Sequence, residues 1–385
     1  MLVKILMLVA TSVATDTRVL REARALVGEG HEVLIIGKDV PEGFTFEKIR
    51  IYSVSAGKGL RKSESSLSNK NQPPYIRLAR WILLPQHRER AFATWRENAY
   101  ELSKELLFDA IHVHDFNALE LGYKLHVERK VKFVYDSHEW WVGRQRQYRP
   151  TPQLDKKEAE LEKLWGSQAS AVITVGDSIA ELFRTERGFK NVHVVRNSFP
   201  PNPAAETSVT SPPTGAIYAG RIDAYRELET IIAAAADIPL KITWMGEHQN
   251  AWATKHLPVA KSKGIDVQEA KSISEVTKQM QRAGLALVTH SNKFQSHRLA
   301  MPNKLFHAVH AGTPVIATNV SELAAIVTKY DLGELYEPGD RKSLIAAVNR
   351  AIARHGQLIR NVAVAQPALS WPRDEAVLLE IYANL

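Results

Sequence analysis

The chain has 385 residues, of which 45% are hydrophobic and 24% charged, with a formal net charge of +8 and no cysteine. This length exceeds what one hydrophobic core usually organises, so we expect a globular protein of two domains. The lack of cysteine excludes disulfides, thiol nucleophiles and thiolate metal sites, and it fits a cytoplasmic location. The positive charge suits nucleic acid, anionic lipid or phosphorylated substrates, but no basic recognition motif indicates nucleic acid.

The first half of the chain alternates strand and helix patterns. Residues 2–9 are apolar but far too short to span a membrane, and we interpret them as a first buried strand. Asp16 is placed to cap a following amphipathic helix that ends near Gly28. The alternation predicts a parallel sheet with helices on both faces. Strands are predicted at 4–9, 32–36, 50–54, 110–113, 131–135, 171–175 and 192–195, and further helices at 90–107, 117–128, 155–167 and 178–186.

A proline-rich segment, 200–213, interrupts this pattern and is the predicted linker to a second, similar series. The two series predict an α/β fold of two Rossmann-like, doubly wound domains. Since such sheets bind ligands at the carboxyl ends of their strands, we expect the two domains to face each other across a cleft. The second series has predicted strands at 215–219, 241–245, 265–267, 285–289, 313–317 and 334–336, and helices at 226–236, 273–282, 303–311, 321–328 and 341–354.

Polar side chains follow the first strand, among them Ser12, Asp16 and Arg18. The chain has no G-x-G-x-x-G fingerprint, which argues against a dinucleotide dehydrogenase. Hydroxyl groups and an arginine at a helix N-terminus can contact a substrate, and they can equally cap the helix without any binding role. Both interpretations remain open for this loop.

The fourth and fifth predicted strands both end in histidines and acidic residues, namely His112, His114 and Asp115, and then Asp136, His138 and Glu139. One interpretation is a metal site, because His-x-His can chelate and carboxylates can complete the ligand shell, although no third histidine follows at regular spacing. A second is that His112 is merely buried beside the sheet while Asp136 binds loop backbone. A third is that His138 and Glu139 line the cleft and bind sugar hydroxyls or assist proton transfer.

Two segments, 76–95 and 140–149, mix aromatic residues with arginines. Such side chains can stack on sugars or bases and hold phosphates, and 76–95 also suits a helix on anionic lipid. Core packing with a solvated basic edge explains the same pattern.

The strand ends of the second domain carry glycines and cations. Gly220 and Arg221 follow one strand, and Arg226 comes five residues later. Two fixed cations at a strand end suit a diphosphate. Gly246 after the next strand permits a ligand to approach closely, and Lys271–Ser272 precede a further helix.

The segment 296–318 has the pattern of a polar loop, a helix and a buried strand. Pro302 suits the helix start and Gly312 its left-handed end. A helix N-terminus that carries Asn303 and Lys304 is a candidate anion site.

Together these residues resemble the retaining glycosyltransferases of the GT-B fold, specifically family 4. None of the motifs is specific alone, but the order and spacing of the motifs over nearly the whole chain are specific to this family. Residues 371–385 look like the family's closing helix, which crosses back onto the first domain, so that the domains would span 1–199 and 200–370. The resemblance rests on the segments 16–23, 30–33, 136–139, 195–197, 220–221, 302–306 and 311–316.

The resemblance implies transfer of a sugar, with retained anomeric configuration, from a nucleotide-diphosphate donor such as a UDP-sugar. The second domain would bind the donor and the first the acceptor. No cofactor and no dedicated metal is implied, and the chain has no Asp-x-Asp motif. The implied catalytic residues are His138, Glu139, Arg221 and Arg226; donor contacts are Gly220, Gly246, Lys271, Ser272, Met301, Asn303, Lys304 and His307; acceptor-side contacts are Ser12, Asp16, Arg18 and His114.

The family usually has two glutamates eight positions apart in the donor loop and helix, the second binding the ribose. Leu299 and His307 occupy those positions here. A neutral imidazole can still bond one hydroxyl, but it lacks the two acceptor oxygens of a carboxylate.

We therefore expect a hexosyl- or N-acetylhexosaminyltransferase that acts on a glycan, lipid-linked or cell-envelope acceptor, with peripheral contact to an anionic membrane. Leu299 and His307 leave open a catalytically weakened protein that binds nucleotide sugars or glycans. A metal-dependent hydrolase using His112, His114 and His138 is a further alternative.

Overall fold

The computed structural model describes residues 2–55, 75, 92–144 and 152–385 and divides into two compact units. Unit 1 comprises Met1–Thr174, Ala180–Val194 and Val377–Leu385. Unit 2 comprises Val175–Ile179 and Val195–Ala376.

Unit 1 is built on a seven-stranded parallel sheet in the order β3-β2-β1-β4-β5-β6-β7. Its central strands are buried along almost their whole length, as expected for a sheet covered on both faces. The strands are β1 Lys4–Val9, β2 Glu32–Lys38, β3 Arg50–Val54, β4 Ala110–His114, β5 Lys132–Ser137, β6 Ala171–Thr174 and β7 Val192–Val194.

The helices between these strands pack on the two faces of the sheet. The side chain of Asp16 caps the first of them by accepting a hydrogen bond from the peptide N–H of Val19 at 3.3 Å. They are α1 Thr17–Gly28, α2 at 92–103, α3 Asp115–Arg129, α4 Pro152–Gly166 and α5 Asp177–Leu182, which continues as a π-helix over Phe183–Arg187; single 3₁₀ turns are Val13–Thr15 and Trp141–Gly143.

Unit 2 repeats the arrangement with a six-stranded parallel sheet in the order β10-β9-β8-β11-β12-β13. Both units therefore have the strand order of a doubly wound sheet, with one reversal of direction at the middle. The strands are β8 Gly215–Ala219, β9 Lys241–Met245, β10 Asp266–Gln268, β11 Gly284–Val288, β12 Val315–Thr318 and β13 Gly333–Tyr336.

The helices of unit 2 enclose a core centred on Tyr218, Trp244 and Leu344. Within the described ranges, no helix is long and apolar enough to serve as a membrane span. The helices are α6 Ala205–Ser208, α7 Leu228–Ala234, α8 Ala251–Ser262, α9 Ile273–Ala283, α10 Gln295–Arg298, α11 Asn303–His310, α12 Ser321–Tyr330, α13 Arg341–Ala353 and α14 His355–Ala365, with 3₁₀ turns at Ala235–Asp237 and Gln366–Leu369. The last helix, α15 Trp371–Ala383, begins in unit 2 and continues into unit 1 from Val377 onward.

The predicted elements are found wherever the structure describes them, and the α/β fold is confirmed. Four helices, α6, α8, α10 and α14, are absent from the sequence prediction; Pro258 inside α8 broke its helical pattern. The segment 200–213, predicted as a linker, is packed into unit 2, where it contains α6 and Thr210 donates its peptide N–H to the carbonyl of Gln281. Most of 76–95 and all of 145–149 lie outside the described residues.

We expect Gly122→Ala to destabilise unit 1, because α3 packs against β4 with no space for a methyl group. A Cβ at Gly122 would lie 2.2 Å from Cγ2 of Val113. Overpacking of this kind lowers the free energy of unfolding by about 1–3 kcal/mol, measured as a shift in the urea midpoint. Gly28→Ala is the matched control, since no atom lies within 4 Å of its Cβ position, and it should be neutral or stabilising. Equal midpoints for the two variants would contradict the close packing.

Candidate functional site

The polar residues of unit 1 collect where β1 and β4 lie side by side. The strand order reverses there, so the loops after the two strands diverge and leave a crevice at their carboxyl ends. His114 is in register with Val9 on β1 and with Asp136 on β5. His112 lies two residues earlier on β4 and therefore faces the same side of the sheet as His114. The register thus brings His112, His114 and Asp136 together.

Arg18 on α1 provides the cation of this group. Its Nε donates to Oδ2 of Asp136 at 2.9 Å and its Nη2 to Oδ1 at 2.7 Å. Nη2 also lies 3.0 Å from Oε1 of Glu22, one helical turn further along α1. All three side chains are at least 96% buried, so the bidentate pair is shielded from water.

Three histidines surround the carboxylate of Asp136. The Nε2 of His138 lies 2.9 Å from Oδ2 and the Nδ1 of His114 lies 3.2 Å from it. The ring of His112 stacks on that of His114, with centroids 4.4 Å apart. His112 and His114 are buried, whereas 21% of the His138 side chain is exposed. His138 is therefore the histidine of this cluster that a ligand can reach.

Asp115 holds His138 from the opposite side. Its carboxylate accepts the peptide N–H of His138 at 2.9 Å and lies 3.3 Å from Nδ1 of the ring. The backbone of Asp115 is in the left-handed region, at φ 62°, which few L-residues other than asparagine and aspartate adopt readily. His138 thus has a carboxylate at each ring nitrogen, and its orientation is fixed.

These contacts shift the pKa values of His138 and Asp136 in opposite directions. Burial disfavours a charged His138, but Asp115 and Asp136 outweigh it and raise the pKa of His138 to about 10. Burial also opposes ionisation of Asp136, yet Arg18 and His138 hold the pKa of that carboxyl well below its usual range. His138 is therefore an imidazolium at neutral pH, and Asp136 is a carboxylate.

Burial shifts the pKa values of the remaining members toward their neutral forms. Burial raises the pKa of Glu22 to about 8, with Arg18 opposing the shift. Burial, reinforced by His112, lowers the pKa of His114 to about 3. Burial, assisted by Asp115, also raises the pKa of Glu139 to about 7, so this carboxyl next to His138 can gain or lose a proton near neutral pH.

Four side chains of the cluster have the donor atoms of a metal site. Glu22, His112, His114 and Asp136 offer ligand atoms within 4.8 Å of one another. However, the guanidinium of Arg18 contacts both carboxylates, and a divalent cation would have to displace it. The donor set therefore fits an ion-pair network centred on a guanidinium better than a metal centre.

In unit 2 the corresponding reversal of strand order lies between β8 and β11. Gly220 follows β8, His290 follows β11, and α11 begins beside them at Asn303. Gly220 has φ 148°, and a Cβ there would lie 2.5 Å from Cε of Lys304. Glycine at this position therefore allows the Lys304 side chain to pass over the end of β8.

Four basic side chains meet at this point, and we call them the basic cluster: Arg226, His290, His297 and Lys304. Nη1 of Arg226 lies 3.4 Å from Nε2 of His290, and the rings of His290 and His297 are 4.8 Å apart. The ammonium of Lys304 lies over the ring of Tyr218 at 5.1 Å.

Within the described residues, no carboxylate compensates the charge of the basic cluster. Burial and then Arg226 lower the pKa of Lys304 to about 7 and that of His297 to about 4. Burial and Arg226 also hold the pKa of His290 well below its usual value. In the part of the chain that the structure describes, neither Arg226 nor Lys304 forms an ion pair with a carboxylate. An anion bound here would supply the missing charge and favour protonation.

Arg221 lies apart from the basic cluster. Its side chain is 62% exposed, and Nε lies 3.3 Å from Oδ2 of Asp223. Gly246 packs against the carbonyl of Gly220, with a hypothetical Cβ only 2.0 Å from that oxygen. The ends of β8 and β9 are therefore in close contact.

The remaining predicted donor residues lie around α9 and α11. Ser272 caps α9 in a capping box with Glu275, and Lys271 before it is exposed. Met301 is buried ahead of α11, while Asn303 at its start is exposed.

His307 is committed to packing. The hydroxyl of Thr277 donates to the carbonyl of Ile273, so Nε2 of His307 must donate to that hydroxyl, at 2.8 Å. Its ring stacks on Phe199 with centroids 4.8 Å apart. Burial and then His310 lower the pKa of His307 to about 4, which makes it a neutral imidazole at physiological pH.

Of the predicted acceptor-side residues, Arg18 and His114 belong to the unit 1 cluster. Asp16 caps α1, and Ser12 accepts, at its carbonyl, a hydrogen bond from Thr15 in the turn before that helix. Sequence reasoning missed Glu22, His290, His297 and Tyr382, the last of which bonds His112. Two of these residues had a signal in the sequence: Glu22 is spaced i,i+4 from Arg18, and His290 comes just after a buried strand. No local signal points to Tyr382.

Two family models match the sequence. A model described as Glycosyltransferase Family 4 matches residues 15–202, and one described as Glycosyl transferases group 1 matches residues 214–354. A comparison with curated proteins found no significant match.

Solved structures resemble the chain over its whole length. Sucrose-phosphate synthase from Thermosynechococcus elongatus has a TM-score of 0.76 at 17% identity, covering 99% of this chain and 98% of its own. Anabaena Alr3699/HepE in complex with UDP-glucose has a TM-score of 0.67 at 15% identity, covering 100% of both chains. The lipopolysaccharide outer core galactosyltransferase WaaB, in its apo form, has a TM-score of 0.61 at 14% identity, covering 99% and 100%.

We expect the charge on His138 to make stability depend on pH. The pKa of His138 rises from 6.5 to about 10 in the folded protein. The stabilisation is therefore complete below about pH 6.5 and is lost as pH rises through about 10, a change of a few kcal/mol. Urea unfolding between pH 6 and 10 should be steeper in pH for wild type than for His138→Gln. His126→Gln, which removes a ring bonded to the carbonyl of Val131, should keep the wild-type slope; identical slopes for wild type and His138→Gln would contradict the assignment.

Proposed function

Since the chain belongs to the glycosyltransferases of family 4 and group 1 and has their GT-B fold, we propose that it is a retaining enzyme that uses a nucleotide-diphosphate sugar. The observation that carries the proposal is the basic cluster of unit 2, in which no carboxylate of the described residues pairs with Arg226 or Lys304. It lies at the strand ends where doubly wound sheets bind ligands.

In this proposal the diphosphate of the donor occupies the basic cluster. Arg226 and Lys304 stabilise the charge that develops on the leaving diphosphate, with the N-terminus of α11 assisting. Arg221, exposed on the following loop, joins them when the donor is bound. The absence of a paired carboxylate supports this role, because such a carboxylate would compete with the phosphates.

The donor is proposed to be a UDP-sugar. Solved relatives in fold contain UDP or UDP-glucose, namely the Anabaena Alr3699/HepE complexes. The backbone at Gly220 and Gly246 permits close approach of the nucleotide, and the loop at 271–272 is proposed to hold the base. Met301, Asn303 and His307 complete the donor side. His307 contributes only through Nδ1, because its Nε2 already bonds the hydroxyl of Thr277.

The proposed reaction is a front-face substitution. The acceptor hydroxyl attacks the anomeric carbon on the side from which the diphosphate leaves, and a donor phosphate oxygen takes the proton. His138 and Glu139 position the transferred sugar. Because both N–H groups of the imidazolium face Asp115 and Asp136, His138 contributes positive charge and a fixed ring surface to the sugar site rather than removing protons.

Unit 1 is proposed to bind the acceptor, with Ser12, Asp16, Arg18 and His114 on that side. A glycan, lipid-linked or cell-envelope acceptor is supported by the likeness to WaaB, a lipopolysaccharide outer core galactosyltransferase. The net charge of +8 supports peripheral contact with an anionic membrane at the cytoplasmic face.

A panel of UDP-hexoses and UDP-N-acetylhexosamines tests the proposal, with thermal shift for binding and transfer to membrane extracts for turnover. NMR of the product reports whether the anomeric configuration is retained. The engaged ring of His307 favours one second candidate, a protein that binds nucleotide sugars without efficient transfer. Binding without turnover on any acceptor would select that candidate, and an inverted product would exclude the retaining mechanism.

Lys304→Met and Arg226→Gln should each lower kcat by about 100-fold, because each removes a cation from the leaving diphosphate. Steady-state transfer assays with a saturating donor measure the loss. Arg282→Gln, an exposed arginine on the last turn of α9, is the matched control and should retain wild-type turnover. Near-wild-type kcat in the two cluster variants would place the diphosphate elsewhere.

Transfer should not depend on a metal ion, because Arg18 already neutralises the carboxylates that could bind one. Turnover after exhaustive treatment with EDTA should equal that of the untreated enzyme, and metal analysis should find no stoichiometric zinc. Loss of turnover that zinc restores would instead favour the hydrolase-like metal site of Glu22, His112, His114 and Asp136.

A further inference from the structure

The C-terminal residues of the chain complete the polar cluster of unit 1. Val377–Leu385 belong to that unit, and Tyr382 on α15 is 4% exposed. Its hydroxyl lies 2.8 Å from Nδ1 of His112, and the two rings are stacked at 14° with centroids 6.0 Å apart. A residue 270 positions away in sequence thus reaches the histidines of β4.

His112 depends on this contact for its hydrogen bonding. The ring is completely buried, and its Nε2 has no hydrogen-bond partner within the described part of the chain; the nearest carboxylate oxygen, on Glu22, is 3.5 Å away. The Tyr382 hydroxyl is therefore the hydrogen-bond partner that holds the rotation of the His112 ring, and it can pair with either protonation state of Nδ1.

The orientation of His112 is passed on through direct contacts. Its ring stacks on His114, with centroids 4.4 Å apart. Nδ1 of His114 in turn lies 3.2 Å from Oδ2 of Asp136 and 3.4 Å from Nε2 of His138. The first two steps are a hydrogen bond and a ring stack, and the last runs through Oδ2 of Asp136, which His114 and His138 share, so the path from Tyr382 to His138 is continuous.

We propose that Tyr382 is a positioning residue for His138, acting through His112 and His114, and that the C-terminal helix thereby sets the geometry at which the transferred sugar is held. The role in transfer rests on the proposed function, whereas the structural coupling does not. His138 is the member of this path that is partly exposed, so it is the point at which the coupling reaches a ligand.

The groups that face His138 come from four elements. Asp136 approaches from β5, His114 from β4 and Asp115 from the start of α3, while Arg18 and Glu22 of α1 lie behind Asp136. Tyr382→Phe leaves all of these in place and removes one hydroxyl oxygen. The hydrogen bond that this hydroxyl makes is to His112, so we expect a change at His138 in that variant to arrive through His112.

Tyr135→Phe is the matched control. Tyr135 is also fully buried in unit 1, and its hydroxyl donates to Oε1 of Glu162 at 2.9 Å, outside the path from Tyr382 to His138. Both variants lose one buried hydrogen bond, so both should lower Tm by about 2–8 °C. Stability alone therefore cannot separate a positioning role from a structural one.

The first experiment is ¹⁵N NMR of the imidazole rings, which reports tautomer and charge without any substrate. Tyr382→Phe should shift the signals of His112 and His138, assigned with His112→Asn and His138→Gln, and move the pH midpoint of His138. Tyr135→Phe should leave both at their wild-type positions. Unchanged His138 signals in folded Tyr382→Phe, or equal changes in the two variants, would overturn the proposal. If Tyr382→Phe does not fold, the test uses wild-type protein labelled with 3-fluorotyrosine, which alters the hydroxyl that bonds His112. Unchanged NMR signals of His112 in that protein would also overturn the proposal.

The second experiment is transfer kinetics with the donor found for the wild type. Tyr382→Phe should lower kcat about 10-fold with little change in the donor KM, because the sugar is held less well while the diphosphate site is intact. The pH dependence of kcat should shift with the NMR midpoint, and Tyr135→Phe should match wild type. An NMR shift in Tyr382→Phe with unchanged kcat and pH profile would overturn the role in transfer. If the wild-type protein shows no transfer at all, the proposed function is refuted, and the NMR result alone then tests the coupling between Tyr382 and His138.

Discussion

The bidentate ion pair between Arg18 and Asp136 is the interaction on which the site of unit 1 depends. A carboxylate buried this deeply is stable only with a fixed counter-charge and satisfied hydrogen bonds, since desolvation costs several kcal/mol per ion. Arg18 supplies the charge from α1, and the remaining capacity of Oδ2 is taken by His114 and His138. The ionised Asp136 then holds His138 as an imidazolium, so the charge state of the exposed histidine follows from a salt bridge beneath it.

The two units have similar sheet topologies, but the cations at their strand ends differ in whether they are paired with carboxylates. In unit 1 the cations of the cluster lie against buried carboxylates, whereas in unit 2 Arg226 and Lys304 have no carboxylate partner within the described residues. A site of the first kind suits a neutral, hydroxyl-bearing ligand, and one of the second kind suits an anion. This difference supports the proposed division into an acceptor unit and a donor unit better than the strand order, which is the same in both apart from the additional strand β7 in unit 1.

The fold could be predicted because alternating apolar strands and amphipathic helices are local patterns. Helix α8 was not predicted because a proline inside a sequence usually ends a helix, whereas Pro258 lies within this one. The strand-end rule also located His112, His114, Asp136 and Gly220. What the sequence could not supply was pairing between distant elements. The contact of Tyr382 with His112 and the approach of Lys304 to Gly220 depend on how a helix docks onto a sheet, which no short-range pattern encodes.

His307 shows how a replacement can be read once its surroundings are known. A glutamate at this position would bring a charge against Phe199 and next to a Thr277 hydroxyl whose proton is already donated to Ile273, leaving that carboxylate poorly satisfied. A neutral imidazole meets both demands, because its Nε2–H finds an acceptor and its face finds an aromatic ring. The histidine is therefore consistent with its local environment, and recognition of the ribose in the proposed donor site relies less on this position than the family resemblance implies.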